Sequence, residues 1–290
     1  MKKVKSYDVI VHTMLILCTL LCLVPFALLI ISSFASEMSI MKYGYSFWPK
    51  EWSLDSYRYL FGQSGQIIRA YGITILTTVV GTLMGLSMTI ALAYVLAQRD
   101  LPGRSLLMFY VFFTMLFNGG LVPSYIMWTT TFHIKNTLWA LIFPNLMVKG
   151  FFVILARSYF QTNLPTDIQE AARIDGAGEL QIFFRIAIPL AKPIISTLLL
   201  FIGLSYWNDW NNGLIFLSDN KLYSIQNVLN EMIKTIQFLQ QNSSTVSMVA
   251  LPSNGVRMAI AVVATLPVLI AYPFLQKGFV RGIVMGGVKG

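Results

Sequence analysis

The polar residues with the most regular spacing, and the first candidates for a functional surface, lie in residues 163–193 of an otherwise very apolar chain. Pro165 stands where a helix can begin, because its ring presets the backbone and its missing N–H is not needed there. Thr166–Gln169 reads as a capping box, which predicts a helix N-terminus. Glu170–Arg173 favour helix, and Asp175-Gly176 predicts its end. The pattern therefore predicts a short polar helix that stops at a glycine.

A second helical pattern follows this glycine, and Pro189 is expected to end it. Its apolar residues recur at the i, i+3, i+4, i+7 spacing of one helix face. Such a face must lie against something: the protein's own helix ends, the lipid interface or a partner subunit. The residues alone leave these alternatives open. The predicted apolar face consists of Leu180, Phe183, Phe184 and Ala187.

Residues 205–212, here called the aromatic–amide segment, form the second informative stretch. One interpretation is an interfacial aromatic belt at a helix end. The other is a sugar-handling surface, since aromatic faces stack on sugar rings while Asn and Asp pair with hydroxyl groups. Tyr125 and Trp128 could add to that surface, although belt residues look the same. The candidate substrate contacts in the segment itself are Trp207, Asn208, Asp209 and Trp210.

The chain lacks the sequence motifs of common enzymes. It has no G-x-x-x-x-G-K-[S/T] sequence to bind nucleotide phosphates, and no G-x-S-x-G, H-E-x-x-H or C-x-x-C sequence. His12 and His133 lie far apart, and Cys18 and Cys22 share one apolar run, so we predict neither a metal site nor a disulfide. A chain without these motifs is expected not to be an enzyme and to hold no cofactor of its own.

Composition points to a polytopic membrane protein, because 56% of the 290 residues are hydrophobic and only 11% are charged. The first apolar run is too long for a signal peptide, so we interpret it as an uncleaved span. Six apolar segments approach the roughly 20 residues that a bilayer requires. The predicted spans are residues 9–34, 70–97, 105–130, 138–155, 193–217 and 256–275.

Lys and Arg set the expected orientation, because short cytoplasmic loops are enriched in them. The bias places both termini inside, makes residues 158–192 cytoplasmic and makes residues 218–255 an external loop. The net charge of +9 is then better explained by orientation and lipid contact than by nucleic-acid binding. We therefore expect a multi-pass membrane protein with both termini in the cytoplasm.

Two features of the spans bear on mechanism. Small residues from Gly81 to Ala97 repeat every fourth position, which favours close helix packing within this subunit over a subunit interface. Asp209 is the one carboxylate in a predicted span, and Lys149 lies in the fourth span. An ion-driven carrier usually keeps more ionisable groups in the membrane. Energy is therefore expected to come from a partner.

The polar stretch resembles the signature loop of permease subunits of bacterial ABC importers. Glu170-Ala171-Ala172 is followed by Gly176 at the family's spacing, and Ile186-Ala187-Ile188-Pro189 matches its I-x-L-P, with Ile in the Leu position. Trp207–Trp210 reads W-N-D-W, and together with Phe117–Pro123 it resembles the carbohydrate branch, similar to the maltose-type second permease subunit.

This resemblance implies an all-α membrane protein with six transmembrane helices, the type I importer permease fold and a cytoplasmic coupling loop. It implies a second related permease subunit, two cytoplasmic ATPase subunits that bind ATP and Mg²⁺, and an extracytoplasmic binding protein that delivers an oligosaccharide. An importer of the same architecture for another solute, an ion-coupled carrier and a membrane scaffold are the alternatives. The residues implied to contact the ATPase are Glu170, Ala171, Ala172, Asp175 and Gly176.

Overall fold

A computed structural model of the protein describes residues 6–62, 64–242 and 253–286. These residues are mostly helical, and the β-type contact among them is an isolated antiparallel bridge between Ala35 and Trp52. The all-α prediction is confirmed for this part of the chain. The helices are α1 (Ser6–Ser33), α2 (Glu37–Tyr43), α3 (Asp55–Gly62), α4 (Ser64–Ala97), α5 (Arg104–Leu116), α6 (Leu121–Ile126), α7 (Trp139–Ile142), α8 (Gly150–Asn163), α9 (Thr166–Ile174), α10 (Glu179–Ile182), α11 (Ile188–Leu190), α12 (Lys192–Trp207), α13 (Asn211–Phe216), α14 (Ile225–Asn242) and α15 (Ser253–Gly286). Two π-helical turns, Met127–Thr131 and Phe183–Ala187, and a 3₁₀ turn, Asn220–Leu222, complete them.

The described residues form two compact units. The first draws on Met1–Ile67 and Leu229–Val268, and the second on Ile68–Val228 and Leu269–Gly290. In the first unit the carboxylate of Glu37 accepts hydrogen bonds of 3.1 Å from the backbone N–H groups at the start of α15. A helix N-terminus stabilises a negative charge in that place. Both stretches singled out from the sequence lie in the second unit.

Two helices are each long and apolar enough to cross a bilayer. They are Val9–Ser33 within α1 and Gly65–Ala97 within α4, which agree with the first two predicted spans, 9–34 and 70–97. The described residues of the sixth predicted span contribute a shorter apolar helix, Asn254–Ile270. Hydropathy alone therefore located these three elements.

The third predicted span, 105–130, is not one straight helix. α5 ends at Leu116, and α6 with its π-helical turn leaves at an angle of 111°. Between them Gly120 has a φ of +87°, a conformation that glycine adopts without strain. Its N–H donates to Asn118 Oδ1 over 2.9 Å, which fixes the turn. The break was not predicted, because the mean hydropathy of the segment stays high even where a glycine turns the backbone.

The fourth predicted span, 138–155, is also interrupted. α7 ends at Ile142, and α8 begins only at Gly150. Pro144 lies in the gap and cannot donate the N–H that would continue a helix. Asn145 has a φ of +60°, so the backbone reverses there. The helix that follows runs to Asn163, eight residues past the predicted end of the span.

The core of the second unit lies where α4, α8 and α12 pack together. Gly81 and Gly85 mark the closest approaches on α4. A Cβ added at Gly81 would lie 2.5 Å from the ring of Tyr206, and one at Gly85 would lie 2.7 Å from the carbonyl oxygen of Met147. The prediction that these small residues serve packing within the subunit is confirmed. Fully buried core side chains from the three helices include Ala93, Val153 and Leu198.

The predicted external loop, 218–255, contains the long helix α14, which the sequence analysis did not anticipate. In the second unit its first residue is held by a hydrogen bond of 2.8 Å from the N–H of Ile225 to Thr74 Oγ1. Ser224 Oγ donates to Asn227 Oδ1 over 2.6 Å just before it. Residues 243–252 of this loop lie outside the described residues.

Candidate functional site

Helices α9 to α11 and their connections, residues 165–191, form what we call the helical elbow. Pro165 precedes α9 with extended backbone angles and, as a proline, suits this boundary. The predicted capping box is wrong, because Thr166 is already the first helical residue and does not cap the helix. Its hydroxyl donates to Asp167 Oδ1 over 3.2 Å instead. The carboxylate of Asp167 in the first turn complements the helix dipole.

The predicted end of the first helix at Asp175-Gly176 is confirmed. Gly176 has a φ of +83°, the left-handed conformation that closes many helices. Its N–H donates to the carbonyl of Arg173 over 3.0 Å, and the N–H of Ala177 donates to the carbonyl of Ala172 over 2.9 Å. These two hydrogen bonds form a Schellman motif. The turn is therefore fixed in shape by backbone bonds.

An ion pair spans this turn and joins its two helices. Arg173 Nε donates to Glu179 Oε1 over 2.8 Å. This hydrogen bond raises the pKa of the Arg173 guanidinium, so the arginine remains charged. The pair was not identified from the sequence, because its six-residue separation crosses a turn whose geometry the sequence does not give.

The second helix of the elbow runs from Glu179 through a π-helical turn to Leu190. Pro189 does not end it, because a proline is tolerated within the first turn of the helical segment that starts at Ile188. The helix stops at Ala191, where α12 leaves at an angle of 80°. The chain thus passes directly from the elbow into the helix that carries the aromatic–amide segment.

The apolar face of this second helix is divided between two surroundings. Ala187 is buried, and the ring of Phe183 lies 4.9 Å from that of Tyr94 on α4. Leu180 and Phe184 are instead 75% and 64% exposed. The prediction of one continuous apolar face is therefore wrong, because Phe183 and Ala187 lie on the side toward the core, whereas Leu180 and Phe184 lie on the neighbouring, exposed side. One side anchors the elbow and the other is open.

The remaining elbow residues present a polar outer surface with an apolar tip. Ile174 is 86% exposed beside the turn. Of the residues implied by the resemblance, Ala172 is half-buried and the others are exposed: Glu170, Ala171, Asp175 and Gly176. The structure thus brings all five onto one short helix and its turn.

Gln169 is a candidate that the sequence did not single out. It is buried, and its Oε1 atom has no hydrogen-bond partner among the described residues. A cavity of about 410 Å³ lies beside it, lined by Arg99, Asp100, Glu170 and Arg173 among others. A buried acceptor without a donor is unusual. The cavity can therefore accept a donor group at this point.

The base of the elbow is attached to the core by hydrogen bonds as well as by Phe183. Tyr159 on α8 donates from its hydroxyl to the carbonyl of Leu190 over 3.3 Å. Arg157 Nε donates to the carbonyl of Leu96, at the end of α4, over 3.0 Å. The Arg157 hydrogen bond joins α8 to α4, so Tyr159 and Phe183 together connect the elbow to these two core helices.

The aromatic–amide segment lies at the other end of α12. The predicted fifth span, 193–217, ends as a helix at Trp207, and α13 begins at Asn211. The break follows from side chains that compete for backbone groups: Asn208 Nδ2 donates to the carbonyl of Leu204 over 3.0 Å, and Asp209 Oδ1 accepts from the N–H of Asn212 over 3.3 Å.

Buried polar groups tie this segment to the interrupted fourth span. Tyr206 donates from its hydroxyl to the carbonyl of Ile142 over 2.9 Å, and Asn212 Nδ2 donates to the carbonyl of Pro144 over 2.8 Å. Those carbonyls are free because the helix breaks there. Much of the segment's polarity therefore satisfies backbone groups of this chain.

The predicted substrate contacts differ in how much of each side chain is exposed and can contact a sugar. Trp207 is only 9% exposed and its ring lies 6.4 Å from that of Tyr71, whereas Trp210 is 44% exposed. Tyr125 stacks on Phe216 at 5.9 Å, and Trp128 stacks on Phe143 at 6.3 Å. Both belong to a separate aromatic cluster. The exposed ring of Trp210 and the exposed amide of Asn208 are the better-placed candidates.

Lys149 joins the polar groups of this segment from the start of α8. Its Nζ donates to Ser205 Oγ over 3.1 Å, and the Ser205 hydroxyl donates onward to the carbonyl of Phe201 over 2.9 Å. Asp209 interacts electrostatically with it. Among the described residues no cluster of His, Cys, Asp or Glu is suited to hold a metal ion.

Long apolar helices joined to an exposed helical elbow define a helical membrane protein with a surface for a partner. Residues 81–285 match the family of binding-protein-dependent transport system inner membrane components. The chain belongs to this family, and it is therefore a membrane component of a solute transport system. The resemblance found in the sequence is confirmed.

The relatives are permeases of carbohydrate transport systems and similar proteins. Protein LplC of Bacillus subtilis is 38% identical over 92% of this chain and 90% of its own length. The polygalacturonan/rhamnogalacturonan transport system permease protein YtcP of the same organism is 36% identical over 99% of this chain and 100% of its own. The arabinooligosaccharides transport system permease protein AraQ of Halalkalibacterium halodurans is 27% identical over 92% of this chain and 91% of its own.

A solved structure has a closely similar fold. It is a chain of a bacterial ABC transporter involved in the import of the acidic polysaccharide alginate, with a TM-score of 0.77 and 27% identity over 96% of this chain and 98% of that one. The fold is therefore that of an ABC importer permease.

Proposed function

We propose that this protein is one of two membrane-spanning subunits of an ATP-driven importer of oligosaccharides. The observation that carries the proposal is the exposed elbow, rigidly attached to the core of a chain that belongs to this transport family. The chain itself performs no catalysis. ATP and Mg²⁺ bind to two cytoplasmic ATPase subunits, and an extracytoplasmic binding protein delivers the sugar.

The elbow is the coupling element of this transporter. Glu170, Ala171 and Ala172 on α9 face the ATPase, and Glu170 makes a charged contact with an arginine or a backbone N–H group of that partner. Asp175 and Gly176 form the rigid turn. Closure of the ATPase pair on ATP moves α9, and the contact between Phe183 and Tyr94 transmits this movement to α4. The exposed side chains of Ile174, Leu180 and Phe184 add apolar contacts with the ATPase.

The transported solute is an oligosaccharide. The carbohydrates named for the similar permeases support this assignment, as does the alginate importer with the similar fold. Trp210 offers an exposed ring for stacking on a sugar, and Asn208 offers an exposed amide for its hydroxyl groups. Trp207 and Asp209 lie beside these two in the chain, and Tyr125 and Trp128, which belong to a separate aromatic cluster, line another part of the sugar path.

The chain crosses the membrane six times with both termini in the cytoplasm. The bent pair of α5 and α6 supplies the third crossing, which is not a straight helix, and α12 supplies the fifth. α8 and α15 supply the fourth and the sixth. This arrangement places the elbow in the cytoplasm and α14 outside, where the binding protein docks.

The direct test is to purify the complex through a tag on this chain from its own cells and to reconstitute it in liposomes. We expect a second permease subunit and an ATPase to co-purify, and oligosaccharide-loaded binding protein to stimulate ATP hydrolysis several-fold. Empty binding protein is the control. Uptake by this chain alone without ATP would contradict the proposal, as would ATP hydrolysis that no sugar stimulates.

A further inference from the structure

Lys149 is a charged residue at a depth where charge is rare. It directly precedes α8, which ends where the elbow begins, so 14 residues separate it from the cytoplasmic end of that helix. At about 1.5 Å per residue this is about 21 Å. Its partner Ser205 lies 13 residues above Lys192 on α12, which gives about 20 Å. Both lie well inside a hydrocarbon core of about 30 Å.

The hydrogen bonds around Lys149 leave most of its donors unused. The ammonium group has three donors, and Ser205 Oγ accepts one of them. Ser205 has its own hydrogen directed to Phe201, so its oxygen faces the lysine as an acceptor. In the described part of the chain Lys149 forms no ion pair. Its Nζ also lies 5.8 Å from the ring centroid of Phe152 and interacts electrostatically with Asp209. Two N–H donors have no hydrogen-bond acceptor among the described residues.

The surroundings of Lys149 indicate a polar path rather than lipid. A lysine at this depth almost always faces the bundle interior or a water-filled cavity. Its side chain is half-buried, and Asn208, one turn after Ser205, is exposed. Asp209 Oδ2 is buried without a hydrogen-bond partner. Lys149, the exposed amide of Asn208 and the carboxylate of Asp209 thus all lie near the end of α12.

We infer that Lys149 contacts the transported sugar and pairs with a carboxylate of an acidic oligosaccharide. The inference rests on the proposed function and adds to it the charge of the substrate. A neutral sugar needs hydroxyl and amide partners only, whereas a free ammonium group inside the membrane is best matched by an anion. Asp209 tunes this site, because its negative charge keeps Lys149 from holding the anion too tightly to release it.

The first experiment compares substrates in the reconstituted complex with its binding protein and ATP. The probes are trisaccharides of uronic acid from polygalacturonan and from alginate, and the same trisaccharides with their carboxyl groups reduced to alcohols. We expect the acidic form of at least one pair to be taken up about tenfold faster than its reduced form. Uptake of the reduced forms at an equal or higher rate would overturn the inference and leave the proposed function standing. Uptake of neither form, in a complex whose ATP hydrolysis another oligosaccharide stimulates, would do the same.

The second experiment separates substrate binding from simple neutralisation of Asp209. Lys149→Met should lower uptake of the acidic trisaccharide about tenfold, Lys149→Arg should retain most of it, and the exposed control Lys221→Met should be unchanged. The decisive variant is Lys149→Met combined with Asp209→Asn. Uptake that stays low supports the inference. Recovery to the wild-type rate would show that Lys149 only balances Asp209, and would overturn it.

A third measurement uses the wild-type complex and does not depend on the folding of a variant. A carbodiimide couples a carboxylate to an amine in contact with it, with release of a urea. The complex is trapped with the acidic trisaccharide, treated with carbodiimide and digested for mass spectrometry. We expect a sugar amide on Lys149. Sugar adducts found only at other lysines, or no adduct at all, would overturn the inference.

Discussion

The elbow and the aromatic–amide segment lie at opposite ends of α12, and they use their polar residues in opposite ways. The elbow leaves Glu170 and Asp175 exposed and satisfies its turn with backbone hydrogen bonds. The aromatic–amide segment turns Tyr206 and Asn212 inward, where they bind backbone carbonyls of the broken fourth span. Both stretches look equally functional in the sequence.

This difference separates two uses of polarity in a membrane protein. In a soluble loop, backbone groups can bind water, so side chains are free for a partner. Inside the membrane each broken helix leaves carbonyls and N–H groups that something must satisfy. Polar residues in a span are therefore mostly structural, and a residue such as Lys149, with donors left unused, becomes the exception of interest.

The largest effect is expected from reversing the charge of the elbow. Glu170→Lys or Gly176→Asp should lower uptake at least about a hundredfold, because the first repels a basic partner and the second strains a residue whose φ is +83°. Uptake in proteoliposomes measures this. Glu51→Lys, the same charge change at an exposed residue outside the elbow and α14, is the control and should keep normal uptake. Sugar-stimulated ATP hydrolysis that survives in both elbow variants would refute the coupling role.

A large loss of stability is expected where α4 and α12 approach most closely. Gly81→Ala should lower the free energy of unfolding by about 1–3 kcal/mol, because the added Cβ would lie 2.5 Å from the Tyr206 ring. Gly72→Ala on the same helix meets nothing within 4 Å and should be neutral or stabilising. Melting temperatures of the purified complex compare the two. Equal melting temperatures would argue against the packing described here.

A smaller effect should distinguish the two tryptophans of the aromatic–amide segment. Trp210→Ala should raise the KM for the loaded binding protein by about threefold to tenfold and leave the melting temperature unchanged, since its exposed ring is free to stack. Trp207→Ala should mainly lower the melting temperature, since Trp207 is buried. If the two effects are interchanged, the assignment of substrate contact to Trp210 is wrong.

The smallest effect is expected from the ion pair across the elbow. Arg173→Met should lower stability by at most about 1 kcal/mol, because both partners are partly exposed to solvent. It should still reduce sugar-stimulated ATP hydrolysis two- to threefold, because the pair stiffens the turn of the elbow. The exchanged pair, Arg173→Glu with Glu179→Arg, should recover coupling in the ATP hydrolysis assay. Failure of the exchange to recover any activity would assign Arg173 a direct contact with the partner instead.

The sequence predicted the long elements and the turn of the elbow well. Hydropathy predicts Val9–Ser33 and Gly65–Ala97. The turn at Gly176 is predicted because glycine adopts a positive φ without strain. The packing role of Gly81 and Gly85 was also predicted, since small residues at a four-residue spacing let helices approach. These signals are local, so they can be read without the fold.

The sequence did not predict features that depend on tertiary structure. The breaks after Leu116 and Ile142 lie in predominantly apolar runs, where a few residues such as Gly120 and Pro144 decide the backbone path. The capping box at Thr166 failed because Pro165 already sets the boundary. The division of the second elbow helix into a buried and an exposed side depends on its packing against Tyr94 of α4, which the local sequence does not reveal. The burial of Trp207 likewise depends on a distant neighbour, Tyr71.

The most direct test of the central claim is to ask what touches the tip of the elbow in the intact complex. A photoreactive amino acid placed at Ile174, which is 86% exposed, is irradiated in native membranes, and one at Trp48, which is 84% exposed, serves as the control. We predict that Ile174 captures the ATPase subunit and that Trp48 captures no ATPase. Capture of the ATPase at Trp48, or its absence at Ile174, would contradict the account.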